Sequence, residues 1–123
     1  MNSNNFKALN FSLLGKKTKM TGDLSLEGDT VLAGRLVGTI TVKDQGKLTI
    51  EQTALIEGEI YCNDLEIFGS FAGSINASGT LTIRSSAHVV GKINASKMSI
   101  YPGAILNMEG SAEVISNDKK EGL

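Results

Sequence analysis

The chain has 123 residues, enough for one domain, with 41% hydrophobic content but only 5% aromatics and no Trp, so its core must be built of Ile, Leu, Val and Ala. Residues 1–20 carry Lys7, Lys16, Lys17 and Lys19 and no acid, which leaves eight basic against thirteen acidic residues in the remainder; an acidic body argues against nucleic acid as a partner. A single Cys62 excludes an internal disulfide and fits a reducing cytoplasm, no run approaches the roughly 20 apolar residues of a spanning helix, and no apolar signal-peptide core is evident at the start.

The first segment, FKALNFSLLGKKTKM (6–20), interleaves Phe6, Leu9, Phe11, Leu13 and Leu14 with Lys7, Lys16 and Lys17. Apolar groups beside lysines suit the surface of an anionic bilayer. Residues 1–19 are therefore expected as a flexible arm in contact with membrane. The competing reading is that Leu13 and Leu14 fold over the first turn as a cap.

From Leu24 and Leu26 onward the chain repeats itself. LAGRLVGTI (32–40) returns as IFGSFAGSI (67–75), and LTIEQTALIEGEI (48–60) returns as LTIRSSAHVVGKI (81–93). A further copy starts at MSIYPGAIL (98–106), after which Gly110 arrives two positions late. Anchored on Leu32, Ile50, Ile67, Ile83 and Ile100, the steps are 18, 17, 16 and 17 residues. A fixed internal period of this kind governs the fold. Within each copy apolar residues alternate with polar ones, the period of a strand. Between copies stand Gly, Ala, Ser, Asn and Asp, which tolerate sharp bends.

Short strands, tight corners and this period predict a β-solenoid, about three strands per turn and five to six turns, over residues 20–115. Stacked at about 4.8 Å per coil, it makes a rod about 25–30 Å long. Leu32, Ile50, Ile67, Ile83 and Ile100 are expected to form one interior ladder, and Ile40, Ile60, Ile75 and Ile93 a second. Ala54, Ala87 and Ala104 are placed inside where the section narrows. The copies at Leu32 and Ile67 reach their last Gly two residues sooner than those at Ile50 and Ile83, a difference that belongs at a corner. Residues 116–123, SNDKKEGL, read as a disordered charged tail.

A solenoid exposes unpaired backbone groups at both ends, as an edge strand does, and monomeric solenoids need polar caps. No segment reads as a capping helix. The expected contact residues for end-to-end assembly are Leu24 and Leu26 at one end and Ile105, Leu106, Met108 and Val114 at the other.

These features together, the recurring G-x-I, the L-x-I pairs, the terminal GAIL and the short tails, resemble the bactofilins over about residues 20–115. The resemblance implies a right-handed parallel β-helix that polymerises without nucleotide into apolar filaments. It also implies a cytoplasmic scaffold at the inner face of the membrane, serving cell shape or placing cell-wall enzymes, with other scaffold proteins as possible companions. Family members often carry Phe near the end of the last turn, where this chain has Leu106 and Met108.

Little else points to chemistry. His88 is the sole histidine and has no nucleophile placed beside it. Cys62 has no partner at metal-ligand spacing. The glycines open strands and make no phosphate-binding loop, so no metal, nucleotide or other cofactor is expected. Glu57 and Glu59 share a strand face and read as solvated. Two rivals stand: a left-handed β-helix acyltransferase, since IEQTAL-IEGEIY and IRSSAH-VVGKIN each scan as two hexapeptides, and a non-polymerising solenoid that binds a partner. The first fails on continuation, because a six-residue repeat does not run on past Ile60.

Overall fold

The computed structural model describes residues 11–14, 17–43 and 45–116. For 11–14, 108 and 111–116 the description is of the backbone alone. Ten strands, all in parallel pairs, make one continuous sheet and there is no helix among the described residues. They are β1 (Phe11–Leu14), β2 (Lys19–Glu27), β3 (Asp29–Leu32), β4 (Arg35–Lys43), β5 (Lys47–Ile50), β6 (Leu55–Cys62), β7 (Asp64–Ile67), β8 (Ser70–Ile83), β9 (His88–Ile100) and β10 (Ile105–Ser116).

The chain winds. β1 pairs β3, β3 pairs β5, β5 pairs β7 and β7 pairs the end of β8 on one side. On the other, β2, β4, β6 and the start of β8 pair in turn. β9 lies on β8, and β10 on β9. Each coil thus has one short strand and one long strand bent at a glycine, three straight runs in all. The result is a β-solenoid of about five stacked turns, the spacing of neighbours being about 4.8 Å.

Alternation decides what goes inside. Leu14, Leu32, Ile50, Ile67, Ile83 and Ile100 are successive register partners. So are Leu24, Ile40, Ile60, Ile75 and Ile93. Three more rows fill the interior: Met20, Leu36, Ile56, Phe71, Val89 and Leu106; Thr30, Leu48, Leu65, Leu81 and Met98; and Leu26, Val42, Cys62 and Ala77 near the end of the long strands. The central members are buried, and each such aliphatic contributes about 1.5–3 kcal/mol by leaving water. Thr30 breaks its row with a hydroxyl, which donates to the Gly28 carbonyl at 3.3 Å.

The bend in the long strand is a glycine column. Gly22, Gly38, Gly58, Gly73 and Gly91 are register partners, with φ from +130° to +146°. A Cβ on any of the last four would sit 1.8 or 1.9 Å from the carbonyl oxygen of the glycine one coil earlier. Only glycine permits both the backbone angle and the close approach.

The other corner varies in length. After Leu32 and Ile67 the chain turns through Ala33–Gly34 and Phe68–Gly69. After Ile50, Ile83 and Ile100 it takes two residues more. There the turn closes by a backbone bond from Ala54 to Glu51 (2.9 Å), Ala87 to Arg84 (3.0 Å) and Ala104 to Tyr101 (3.4 Å). The turn before the short strand varies too, three residues separating β4 from β5 and one separating β6 from β7, and the two corners together absorb the 16-to-18-residue variation while the interior rows stay in register.

On the outside of this corner Arg84 lies between two rings, its guanidinium carbon 5.2 Å from the Phe68 centroid and 4.2 Å from that of Tyr101. Its Nη1 meets Glu66 Oε2 at 2.9 Å, and Lys47 Nζ meets Glu66 Oε1 at 2.7 Å. Four consecutive coils are tied together by this stack.

Candidate functional site

The two ends of the sheet are where the described structure is unfinished. β1 pairs only β3, β2 pairs only β4, and β10 pairs only β9. Each therefore has one edge of N–H and C=O groups with no strand partner among the described residues. Unpaired edges of this length, parallel and in register with a buried core, are templates for another chain.

The side chains assigned to these ends from the sequence fall differently. Leu24 and Leu26 are 7% and 2% exposed, packed over Ile40 and Val42 inside the first coil. Beside them this end offers the backbone edge of β2, unpaired among the described residues. Ile105 and Leu106 are neighbours on one strand and so face opposite ways. Leu106 packs against the core, whereas Ile105 is 59% exposed on the flank, in the outward row with His88, Ser70 and Leu55. The backbone of Met108 and Val114 lies on β10, beside Gly91 and Met98.

The last coil departs from the others. Met108 takes the place of the glycine column, Gly110 falls opposite Ile93, and the register shifts between Ser111 and Glu113. The first coil keeps the regular pattern, Gly22 beside Gly38 and Leu24 beside Ile40. The two ends are thus unlike in backbone geometry.

Of the residues assigned to membrane contact, Phe6, Lys7, Leu9 and Lys16 lie outside the described residues. Phe11, Leu13 and Leu14 belong to β1, partnered with Asp29, Val31 and Leu32. That strand lies within the stretch read from sequence as an arm. Leu13 and Leu14 stand side by side, so FSLL carries no clean alternation, and pairing with β3 supplies what the local pattern lacks. Lys17 is exposed just before β2. Residues 117–123 also lie outside the described residues, Ser116 being the last of β10.

The faces of the coil hold no reactive constellation among the described residues. Cys62 is buried, and burial, with the Asp64 carboxylate second, pushes its thiol up to about 12, so it stays protonated and inert. No group of three or more His, Cys, Asp and Glu is placed to hold a metal among the described residues. His88 is exposed between Ser70 and Ile105 in its row. A shallow groove of about 470 Å³ runs past Tyr61, Asn76 and Asn94. Its hydroxyls are already committed, Ser78 Oγ to Asn63 Oδ1 at 3.0 Å and Ser96 Oγ to the Ser78 carbonyl at 2.7 Å. No helix among the described residues is long and apolar enough to cross a membrane.

Parallel coils stacked on a continuous aliphatic core, with unpaired edges at both ends among the described residues, define an uncapped β-solenoid. A family model described as Bactofilin, polymer-forming cytoskeletal, matches residues 12–111, and the chain belongs to that family. It is 30% identical over 93 residues to Bactofilin BacO of Myxococcus xanthus (strain DK1622), a match that covers 76% of this chain and 72% of that relative. No solved structure matches. Membership makes this a polymer-forming cytoskeletal protein.

Proposed function

We propose that the protein assembles without nucleotide into filaments by apposing the open ends of its solenoid. The filaments lie against the inner face of the cytoplasmic membrane through residues 1–10, and act as a scaffold for cell-shape or cell-wall machinery. The observation that carries the assembly is the free edge: β10 at one end, β1 and β2 at the other, each paired on one side only among the described residues. At the β10 end the column finishes in the partly buried Leu106, and covering it favours contact with another copy. The family match supports self-polymerisation. The basic, acid-free start of the chain supports the membrane contact: many arms along one filament strengthen an attachment that is weak for a single copy.

Electron microscopy of the purified protein, with no nucleotide added, tests the assembly. Long filaments are expected. Leu106→Lys, alone or with Met108→Lys, is expected to leave short soluble species, because a charge is set against an apolar terminal section. Normal filaments from the double variant would remove β10 from the contact.

A further inference from the structure

At the first two coils the folded body carries a basic notch. Lys19 and Arg35 are register partners, followed in the same outward row by Leu55. The Arg35 amide donates to the Thr18 carbonyl at 2.8 Å, which holds the Lys17–Lys19 stretch against the second coil. Between them is a concavity of about 370 Å³, lined by Lys17, Thr18, Lys19, Arg35, Thr53 and Leu55. Its origin is the unequal corner. The second coil turns short, through Gly34, and the third turns long, through Thr53, whose Oγ1 donates to the Ala33 carbonyl at 3.1 Å. The longer turn walls the shorter one. No carboxylate lines the notch, and among the described residues none of its three cations has an ion-pair partner.

We propose that this notch takes the phosphate of an anionic lipid headgroup, so that the folded body, and not the arm alone, rests on the bilayer. The inference builds on the membrane contact proposed above. Two observations favour a lipid over a soluble anion. Val37 and Leu55, 43% and 37% exposed, stand on the same face immediately beside the cations, an apolar flank that a dissolved phosphate does not need. The same end of the chain continues into residues 1–10, with Phe6, Lys7 and Leu9, so basic and apolar groups extend from body to arm without a break in charge sign. Long cationic side chains reach headgroup phosphates while their stems cover apolar surface. Glu57, register partner of Val37, marks the far boundary of the basic area. The consequence is a fixed rotation of the filament about its axis: the start of β2 and β4, before the glycine bend, faces lipid, and the Asn76–Asn94 groove, beyond the bend, lies on another face.

The test is flotation of the full-length polymer with vesicles of phosphatidylcholine, alone or mixed with phosphatidylglycerol, at constant ionic strength. The wild type is expected to float with the mixed vesicles only. Lys19→Gln with Arg35→Gln removes two surface charges, which lowers the partition about 30-fold. Thr53→Glu keeps all three cations, places an acid in the notch wall and is expected to weaken flotation comparably. All these positions are exposed, and microscopy of the variants checks that polymers persist. If the wild type floats with neither vesicle, the membrane contact itself is overturned. If it floats and both variants float equally well, the membrane contact stands and the notch assignment falls. Displacement by inorganic phosphate at matched ionic strength would make the notch a site for soluble anions and overturn the lipid assignment.

Discussion

The glycine column offers a direct test of how the coils are held at their spacing. Gly73 has φ +137°, and a Cβ there would lie 1.9 Å from the Gly58 oxygen. Gly22 has nearly the same angle, +130°, but a Cβ there meets nothing within 4 Å, because it stands on the free edge. Alanine at either position carries the cost of an L residue in left-handed backbone, about 1–2 kcal/mol. At Gly73 the coils must also part by more than 1 Å to relieve the overlap, roughly the gap between 1.9 Å and ordinary contact. That weakens the two adjacent rungs, at about 1 kcal/mol each. Gly73→Ala should therefore cost about 3–4 kcal/mol and Gly22→Ala about 1–2. At about 4 °C per kcal/mol for a domain of this size, the expected drops are about 12–16 °C and about 4–8 °C. Thermal melts followed by far-ultraviolet circular dichroism, at one fixed protein concentration, read the difference. Equal shifts for the two variants would refute the argument that inter-coil contact, and not backbone angle alone, demands glycine.

Other perturbations are equally specific. Arg84→Ala removes two ring contacts and one ion pair from the corner stack, and should lower the urea midpoint by an amount equal to about 1–2 kcal/mol; an unchanged midpoint would make the stack ornamental. Cys62 links stability to alkaline pH. Its thiol titrates near 9.0 when unfolded and is pushed up to about 12 in the fold, so the unfolded chain loses its proton first. The contribution is fully present below about pH 9 and is lost as pH rises toward 12, at about 1.4 kcal/mol per unit. Between about pH 8 and about pH 10 the wild type should thus lose about 1.4 kcal/mol more than Cys62→Ala, and parallel losses would remove the linkage. Deleting residues 2–10, which spares β1, should cut membrane pelleting while leaving polymers visible by microscopy; undiminished pelleting would transfer the whole attachment to the folded body.

Much of the fold was legible because its grammar is local. Alternation is written within three or four residues, so Leu48-Thr-Ile50 and Leu81-Thr-Ile83 announce a strand wherever they stand, and repetition at 16 to 18 residues stacks them. The recurrence of glycine at one offset from Ile40, Ile60, Ile75 and Ile93 was visible for the same reason, but the expectation that each glycine opens a strand fails: Gly38, Gly58, Gly73 and Gly91 lie inside β4, β6, β8 and β9 and bend them. Features that depend on neighbouring coils were not visible. FSLL in β1 is a strand because β3 lies beside it. Ile105 lies outward because parity is counted from Leu106, and the run AIL does not say which of its members faces in. Leu24 and Leu26 looked like terminal surface, yet they are covered in the first coil. The basic notch depends on a short corner lying beside a long one, a relation between Gly34 and Thr53 that no single repeat contains.

Among the described residues each strand is hydrogen-bonded only to its counterparts one coil before and one coil after, and no strand pairing joins the first coil to the last. The molecule therefore has no keystone. Its middle is firm and its tips are soft, since a tip has one neighbour where the others have two, and opening starts there as fraying does in a rope. Joining two copies mends both tips at once, so resistance to heat should climb with protein concentration, and a filament should wear away from its extremities.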